Sequence, residues 1–393
     1  MKIAIIGQGY VGLALAQAAC NAGHKVIGFD TNPKVISDIK SESTKDNFLK
    51  SKNYLPTDNE VDIKDQEIYI IAVPTPLDKS NLPDISYLTA ASKLIAKSAP
   101  NGALVINEST SYPGTLREIV IAQISNSNKS TFLYAAAPER IDPANFKWSI
   151  KNTPRVIAGI DEASTKAALN FYKSICDQVE VVSSPEVAEA AKLFENTFRQ
   201  VNIALVNELA QISQRLNISA NEVIDAASTK PFGFMPFKPG LGVGGHCIPI
   251  DPIYLAQKAK SVGATAAFID QANKVNEQMP LYILERVKSL LSSNLKGKKI
   301  CIIGLSYKAD VSDLRQSPSL VLWQELEKQG VKVAFHDEIV KVYEGVESSA
   351  LTANNYDLSV VAVRHSSLDI TEVKKSAPII FDCSGSIEGC YIL

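Results

Sequence analysis

Short apolar runs alternate with longer helical stretches in the N-terminal half of the chain. Lys2–Ile6 has the length of a strand, is rich in β-branched residues and is followed at once by a glycine. Comparable runs follow at Glu67–Val73, Ala103–Asn107 and Thr131–Ala135, with helical patterns between them. This alternation predicts a parallel, doubly wound α/β sheet.

The same alternation returns near the C-terminus, after a long helical pattern at Pro185–Leu216. The later strand-like runs are Lys298–Gly304, Val331–Asp337, Leu358–Val363 and Ile379–Asp382. The predicted fold class is therefore α/β, with two Rossmann-like doubly wound lobes joined by a long central helix and an all-α middle domain. The predicted domains are 1–184, 185–290 and 291–393.

A dinucleotide-binding fingerprint follows the first strand. Gly7, Gly9 and Gly12 form Gly-x-Gly-x-x-Gly between that strand and a helix predicted over 13–22, and the next strand ends on Asp30. Such glycines make a tight turn and let a pyrophosphate rest on the helix N-terminus, where Tyr10 and Val11 lie, while the acid binds a ribose hydroxyl. The acid favours NAD over NADP because it repels a 2′-phosphate, and the nearby Lys34 weakens that preference.

Polar residues follow the later strands of this lobe, at the sheet edge where ligands bind. Thr75 and Thr110 are predicted to line the nicotinamide side of the cofactor, and Glu139 and Arg140 come after the next strand. A role in turns or helix caps is the alternative for each threonine.

The long helical pattern places Lys192, Asn196 and Arg199 on one face, at i, i+4 and i+7. Polar side chains within an apolar helix need partners or a ligand, although a solvated polar stripe is the alternative. A long helix between two lobes is also a natural dimer surface.

A glycine-dense loop presents one cysteine. Gly242, Gly244 and Gly245 precede Cys247, and Asp251 follows four residues later. Such glycines let the backbone approach a ligand, and nearby main-chain N–H groups favour a thiolate or an oxyanion. The alternative is a structural turn with an inert cysteine.

The C-terminal lobe lacks the Gly-x-Gly-x-x-Gly spacing. Its first loop carries Lys308 and Arg315, which suit a diphosphate ligand other than NAD, with surface salt bridges as the alternative.

Composition narrows the function classes. The net charge of −2 over 393 residues implies no nucleic acid partner and no acidic membrane surface. No stretch reaches the length of a membrane span, and the first residues begin a strand instead of a signal peptide. The six cysteines are scattered, which argues against a metal cage or disulfides and favours the cytoplasm.

Taken together, these motifs resemble the UDP-glucose/GDP-mannose dehydrogenase family of nucleotide-sugar 6-dehydrogenases over essentially the full chain. The segments that carry the resemblance are Gly7–Gly12, Val73–Pro76, Glu108–Thr110, Pro138–Arg140, Lys192–Asn196, Gly244–Cys247 and Tyr307–Arg315. The resemblance implies two hydride transfers to two NAD molecules, which oxidise a sugar C6 alcohol to a carboxylate. It also implies a UDP-sugar as substrate, and a homodimer through the long helix is expected.

The resemblance implies roles for individual residues. Lys192 and Asn196 steady the C6 oxygen, Asp251 takes its proton directly or through water, and the Cys247 thiolate captures the aldehyde. Glu139 or Asp251 activates the water that hydrolyses the thioester, and Thr110 belongs to the same catalytic group. The implied substrate contacts are Glu139, Arg140, Lys192, Asn196, Arg199, Gly244 and Lys308. The implied cofactor contacts are Gly7, Gly9, Tyr10, Val11, Gly12, Asp30, Lys34, Thr75, Thr110 and Arg315.

Substrate choice depends on residues near the cysteine. Members that act on UDP-glucose usually have a lysine where this chain has Ile250. The cysteine segment, with Ser111–Gly114 and Pro138–Pro143, looks more like UDP-N-acetylhexosamine dehydrogenases, with UDP-N-acetylglucosamine favoured. UDP-N-acetylmannosamine and UDP-glucose are the alternatives. A single-oxidation NAD dehydrogenase and a catalytically inactive sugar-nucleotide binding protein also remain open.

Overall fold

The computed structural model describes residues 1–42, 48–141 and 147–393, so Asp142 and Pro143 of the quoted motif lie outside the described residues. The chain divides into two compact units. Unit 1 comprises Met1–Glu195 with Ile253–Gly263, and unit 2 comprises Asn196–Pro252 with Ala264–Leu393. The three-domain boundaries predicted from the sequence stay a prediction.

The helices of the described residues are α1 (Tyr10–Asn21), α2 (Pro33–Glu42), α3 (Ser86–Ser98), α4 (Ala122–Ser127), α5 (Glu162–Tyr172), α6 (Pro185–Leu216), α7 (Ala220–Ser228), α8 (Asp251–Ser261), α9 (Ala267–Leu290), α10 (Pro318–Lys328) and α11 (Ile370–Ser376). A π-helical turn, Leu116–Ile121, leads into α4, and a 3₁₀ turn covers Phe48–Lys50. None of these helices is both long enough and apolar enough to cross a membrane.

The strands of unit 1 are β1 (Lys2–Ile6), β2 (Lys25–Phe29), β3 (Tyr54–Thr57), β4 (Ile68–Ile71), β5 (Leu104–Asn107), β6 (Leu133–Ala136), β7 (Arg155–Gly159) and β8 (Val179–Val181). Within the described residues they form one sheet in the order β3-β2-β1-β4-β5-β6-β7-β8. All neighbours are parallel except β6 and β7.

The strands of unit 2 are β9 (Lys299–Ile303), β10 (Lys332–His336), β11 (Val342–Tyr343), β12 (Val346–Glu347), β13 (Leu358–Val361), β14 (Ile380–Asp382) and β15 (Tyr391–Ile392). Five of them form a parallel sheet in the order β10-β9-β13-β14-β15, and β11 and β12 make a separate hairpin.

Each central strand contributes side chains to two apolar cores because successive side chains point to opposite faces of a sheet. In β1, Ile3 and Ile5 join one core of unit 1, and Ala4 and Ile6 join the other. The alternate residues of β9 divide between two cores of unit 2 in the same way. Helices therefore cover both faces, as a continuous apolar strand requires.

The predicted fold class is confirmed: the chain has two Rossmann-like parallel sheets with helices between them. The helix predicted over 185–216 is α6 with the same bounds. In unit 2, Ser317 caps α10 and Pro318 is its first residue. The first helix was predicted three residues too late. It begins at Tyr10 because Gly9 is its N-cap, so Gly12 lies inside the helix and not in the loop.

Candidate active site

The three fingerprint glycines of unit 1 have three different surroundings. Gly7 has φ +96°, and an added Cβ would lie 2.4 Å from the Ala72 carbonyl oxygen. An added Cβ on Gly12 would lie 1.9 Å from the Gly7 oxygen, so this glycine lets α1 pack against the turn. Gly9 has no atom within 4 Å of that position. The open space is therefore at the glycine where a pyrophosphate must approach the backbone.

Asp30 lies at the end of β2 and is half-buried. Its Oδ2 accepts the backbone N–H of Gln8 at 2.9 Å, and its Oδ1 accepts that of Asn32 at 2.9 Å. Lys34 is exposed in the first turn of α2. The carboxylate is thus oriented by the turn that it faces, as recognition of a ribose hydroxyl requires.

These residues fit NAD. No side chain caps the N-terminus of α1, where the exposed Tyr10 and the half-buried Val11 occupy the first turn. A helix N-terminus presents backbone N–H groups and a partial positive charge, which suit a pyrophosphate. Gly9, the α1 N-terminus and Asp30 would hold the cofactor, whose chemistry is hydride acceptance.

Thr75 and Thr110 follow the neighbouring strands β4 and β5 and are both half-buried. The two loops are tied together, because Ser109 Oγ donates to the Val73 carbonyl oxygen at 2.9 Å and the Glu108 N–H donates to the Ile71 oxygen at 2.9 Å. The structure therefore places both threonines at one edge of the sheet, where they were predicted to face the nicotinamide.

The loop after β6 carries Glu139 and Arg140. The Arg140 guanidinium pairs with Glu195 of α6 at 2.7 Å and donates to the Pro154 oxygen at 2.7 Å. Glu139 is buried and pairs with Arg155, the first residue of β7. Both predicted substrate residues thus have strong partners within unit 1.

Sequence reasoning missed Arg155. It is buried at the start of β7, a strand that the hydrophobic pattern also missed, and it contacts Glu108 and Glu139. The available signal was a lone arginine between a proline and the apolar run Val156–Ala158.

The helix α6 carries two of its three predicted site residues as buried groups. Lys192 is 9% exposed and Asn196 is 8% exposed, and they lie one turn apart. Arg199 is exposed, so it does not share their environment. Earlier in the helix, Glu189 accepts the N–H groups of Gly114 and Leu116 at 2.7 and 2.9 Å. Burial raises the pKa of Glu189 to about 7.

The predicted nucleophile lies in unit 2. Cys247 is half-buried, and its carbonyl oxygen accepts the N–H groups of Ile250 and Asp251 at 3.1 and 2.8 Å. Asp251 begins α8 and is buried, and its Oδ2 accepts the Asn196 side-chain amide at 2.6 Å. The structure therefore brings Asn196, Cys247 and Asp251 together within one unit.

Two other cysteines are buried among apolar side chains. Burial raises the pKa of the Cys20 thiol to about 11 and that of the Cys301 thiol to about 12.

The loop glycines approach protein atoms. An added Cβ would lie 2.7 Å from the Gln316 oxygen at Gly244, and 2.7 Å from the Tyr307 ring at Gly245. At Gly242 it would lie 2.7 Å from the Asn276 oxygen. The need for glycine here is explained by packing of the cysteine loop in unit 2, and a substrate contact of Gly244 stays a prediction.

Arg315 adjoins the cysteine loop. Its carbonyl oxygen accepts the Gly245 N–H at 2.9 Å, and its guanidinium contacts Asp313 and His246. The hydrogen bond to Asp313 raises the pKa of Arg315, and the charge of Cys247 raises it further.

Lys308 is half-buried in the same loop, where the Ser306 hydroxyl donates to its carbonyl oxygen. Both bases therefore lie in the first loop of the second sheet, as predicted. The cofactor role of Arg315 and the substrate role of Lys308 stay predictions.

Three successive segments of the chain match domains of one protein family. Residues 1–176 match the NAD binding domain of the UDP-glucose/GDP-mannose dehydrogenase family, residues 186–278 its central domain and residues 301–388 its UDP binding domain.

Individual relatives cover almost the whole chain. A UDP-N-acetyl-D-glucosamine 6-dehydrogenase of Salmonella typhi is 35% identical over 97% of this chain and 95% of its own length. A UDP-N-acetyl-D-mannosamine dehydrogenase of Methanocaldococcus jannaschii is 35% identical over 86% of this chain and 80% of its own. The solved structure of a UDP-D-ManNAc dehydrogenase from Pyrococcus horikoshii superposes with a TM-score of 0.89 at 32% identity, covering 100% of this chain and 98% of that one.

The cofactor turn, the cysteine loop and these matches agree. The chain belongs to the UDP-glucose/GDP-mannose dehydrogenase family and is an NAD-dependent nucleotide-sugar dehydrogenase.

Proposed function

We propose that this chain oxidises the C6 hydroxyl of UDP-N-acetylglucosamine to a carboxylate, through a thioester on Cys247. The observation that carries the proposal is the half-buried cysteine beside a buried carboxylate, Asp251, whose orientation is fixed by Asn196. A nucleophile and an oriented base are the groups that covalent oxidation of an aldehyde requires.

In the first oxidation the C6 hydroxyl loses its proton and the C6 carbon loses a hydride, which gives the aldehyde. Lys192 and Asn196 hold the oxygen on which negative charge develops, and Asp251 accepts the proton directly or through one water molecule. Thr110 is proposed to position the reacting groups on the cofactor side. NAD, when bound, supplies the hydride acceptor for both oxidations.

In the second half of the reaction the Cys247 thiolate adds to the aldehyde carbon, and the new C–S bond gives a thiohemiacetal. Loss of the hydroxyl proton and of the remaining C6 hydride converts it to a thioester. Water then adds to the thioester carbonyl carbon and loses its proton to Glu139 or Asp251. The C–S bond breaks, which regenerates the Cys247 thiolate and releases the carboxylate product. The nearby Arg315 cation stabilises the thiolate before addition and after release.

The substrate class follows from the cysteine segment. Ile250 is buried and provides no charge where UDP-glucose enzymes usually have lysine. This supports a UDP-N-acetylhexosamine, and the resemblance favours UDP-N-acetylglucosamine over UDP-N-acetylmannosamine. Relatives of both kinds exist, so both sugars belong in the test.

The test is the yield of NADH per sugar nucleotide with each UDP-sugar, for the natural chain and for Cys247→Ala and Cys247→Ser. We expect two NADH per UDP-N-acetylglucosamine, a much slower reaction with UDP-glucose, and loss of the second oxidation in both variants. One NADH per sugar in all three proteins would instead indicate a single-oxidation dehydrogenase. A faster reaction with another UDP-sugar would overturn the substrate, and complete lack of turnover would favour a binding protein.

We also propose a homodimer through α6. Phe198, Leu205 and Ile212 are 40%, 62% and 48% exposed and recur at seven-residue spacing, which places them on one face of the helix. Exposed apolar stripes of this kind mark interaction surfaces. Light scattering of the natural chain should give a dimer mass, and Leu205→Glu should give a monomer. A monomeric natural chain at working concentration would contradict this.

A further inference from the structure

The cysteine loop, residues 240–250 of unit 2, packs against an aromatic ring of the same unit. Gly245 is buried and has φ +88°, and the half-buried Tyr307 lies beside it. A Cβ added at Gly245 would lie 2.7, 2.9 and 3.0 Å from Cε2, Cζ and Cδ2 of Tyr307. A Cβ added at Gly244 would lie 2.7 Å from Tyr307 Cβ. The loop backbone therefore packs on carbon atoms of the tyrosine side chain and leaves no room for a side chain of its own.

Two polar contacts join the same part of the cysteine loop to Arg315. The Gly245 N–H donates to the Arg315 carbonyl oxygen at 2.9 Å. Nη2 of Arg315 lies 3.0 Å from Nδ1 of His246, the residue directly before Cys247. The backbone on the N-terminal side of the cysteine is thus attached to residues 304–317, which we call the first loop of the unit 2 sheet.

The first loop is itself fixed by hydrogen bonds. The Leu305 N–H donates to Asp337 Oδ2 at 2.8 Å, and the Ser317 hydroxyl donates to the Leu305 carbonyl oxygen at 2.7 Å, which joins the two ends of the loop. The Tyr307 N–H donates to the Asp313 carbonyl oxygen at 3.1 Å. The Tyr307 ring therefore projects from a backbone with little freedom to move.

The two ends of the cysteine loop are attached elsewhere in unit 2. At its start the Gly240 N–H donates to Asn207 Oδ1 at 2.9 Å, and just after its end Asp251 Oδ2 accepts the Asn196 amide at 2.6 Å. Both asparagines belong to α6. Between these attachments the glycines give the backbone wide conformational freedom. The contacts in the middle of the loop therefore decide where Cys247 lies.

We propose that Tyr307 is a positioning residue for Cys247, because its ring fixes the middle of the cysteine loop on the first loop. The inference rests on the proposed function, in which the Cys247 thiolate adds to an aldehyde carbon. Residues 301–388 match a UDP binding domain, so the ring sets the place of the sulfur within the unit that contains this domain. A nucleophile reacts efficiently only when its atom is held about 3–3.5 Å from its target. Loss of the ring should therefore slow the covalent step and spare UDP binding.

The experiment uses the full chain and the variants Tyr307→Ala, Tyr307→Phe, Gly245→Ala and Gly245→Ala/Tyr307→Ala. UDP affinity is measured by calorimetry, and alkylation of Cys247 by iodoacetamide is followed by peptide mass spectrometry. Both need no turnover, so they test the inference even if the natural chain forms no NADH and the proposed function fails. Cys390 is also half-buried in unit 2, and its alkylation in the same samples reports general loosening of the unit.

We expect Tyr307→Ala to lower kcat on the order of 100-fold, with UDP affinity and KM for the UDP-sugar within a few-fold. Alkylation of Cys247 at about pH 9, above the ordinary thiol pKa of about 8.5, should rise several-fold because the released loop exposes its half-buried thiol. Alkylation of Cys390 should not change. Tyr307→Phe should keep the natural kcat and alkylation rate, because the contact atoms belong to the ring and its stem.

Tyr343→Ala is the matched control. Tyr343 is a half-buried tyrosine of the same unit, and its ring packs on Trp323 with 6.0 Å between the ring centroids. Its loss should lower the thermal stability of unit 2 but leave kcat within about threefold, because it removes packing away from the cysteine loop. The alkylation rate of Cys247 should stay unchanged.

Gly245→Ala tests the same contact from the other side, and it replaces Tyr307→Ala if that variant does not fold. Because the new Cβ meets the ring, the two substitutions should lower kcat by less than the product of their separate effects. The proposal is overturned if the effects multiply, if Tyr307→Phe loses as much kcat as Tyr307→Ala, or if Cys247 alkylation does not change. A loss of UDP affinity as large as the loss of kcat would also overturn it, since the ring would then be a ligand contact.

Discussion

The two Rossmann-like sheets begin with the same turn. Gly7 and Gly304 both have positive φ, at +96° and +85°, and each follows the first strand of its sheet. The Gly7 N–H donates to Phe29 at 2.8 Å, and the Gly304 N–H donates to His336 at 2.9 Å. The next N–H in each case binds the acid after the second strand, at 2.9 Å in unit 1 and 2.8 Å in unit 2.

The sheets differ in how that acid is used. Asp30 is half-buried and holds only backbone donors of its own turn and loop. Asp337 is fully buried, accepts the Ile339 and Val340 N–H groups, and lies 3.2 Å from Nε2 of His365, which follows β13. The acid that is predicted to bind a ribose in unit 1 thus has a counterpart in unit 2 that is paired with a histidine.

The difference extends to the helix that follows each turn. α1 begins at Tyr10 directly after the glycines, whereas α10 begins only at Pro318. The intervening loop of unit 2 is anchored by the Asp310 N–H, which donates to His365 Nδ1 at 2.9 Å. The same turn therefore leads directly into a helix N-terminus in unit 1 and into a loop that carries Lys308 and Arg315 in unit 2.

We expect alanine to be equally destabilising at the first glycine of the two turns, Gly7 and Gly304. Gly7→Ala and Gly304→Ala place a Cβ 2.4 and 2.1 Å from a carbonyl oxygen at positive φ. We expect each to lower the free energy of unfolding of its own unit by about 3–5 kcal/mol. Hydrogen exchange of β1 and β9 peptides measures this. Gly9→Ala is the control, with open space and unchanged protection; equal loss there would contradict the comparison.

The buried Asp337 should affect the free energy of unfolding of unit 2. Burial alone would raise its pKa, but the His365 hydrogen bond and three backbone N–H groups lower it to about 2. A depressed pKa contributes stability above the unfolded value of about 3.9, and this stability is lost as the pH falls toward 2. Asp337→Asn should cost about 2 kcal/mol at pH 7 and flatten that acid slope. Urea unfolding followed by Trp323 fluorescence in a Trp148→Phe background measures it, and an unchanged slope would refute the assignment.

Asp30 should act on cofactor binding instead. Asp30→Asn keeps an acceptor for the Gln8 N–H but removes the negative charge that is predicted to face the ribose hydroxyl. We expect NAD affinity to fall about tenfold or more and NADP affinity not to fall, because the repulsion of its 2′-phosphate is removed, with unfolding nearly unchanged. Calorimetric titration with each dinucleotide and with UDP-N-acetylglucosamine tests this. Equal losses for NAD and the UDP-sugar would show a general defect.

Lys34 should have the smallest effect because it is exposed. Lys34→Ala should change NAD affinity by less than about twofold and weaken NADP by a few-fold, as a solvent-screened charge does. The same titrations measure it. A large loss of NAD affinity would mean that Lys34, and not Asp30, dominates recognition in unit 1.

Much of the fold was predictable from local pattern. Apolar runs such as Lys2–Ile6, the glycine turn and the bounds of α6 are encoded in consecutive residues, where periodicity and capping chemistry act. β7 was missed because its apolar run is short and begins after Arg155, and because its antiparallel pairing with β6 is decided by tertiary contacts.

The sequence was sufficient to choose the candidate site residues, but it predicted their contacts with other residues less well. Cys247, Asp251 and Asn196 were chosen by residue type and spacing, and the structure places them together in unit 2, where their roles stay predictions. The loop glycines were predicted to let the backbone approach a ligand, and the structure shows in addition that a side chain at Gly242, Gly244 or Gly245 would meet protein atoms. Arg199 was grouped with Lys192 by helical spacing alone, and spacing does not report which part of a face is covered.

The sequence by itself determined the two sheets, the long helix, the glycine turn of unit 1 and the glycine-dense loop that carries Cys247, since each depends on residues close together in the chain. Tertiary structure alone decided which charges meet. Arg155 reaches Glu139 only through an antiparallel strand, and His365 reaches Asp337 only because β9 lies between β10 and β13. Such pairings join residues far apart in sequence, and burial gives them their strength, so no local pattern records them.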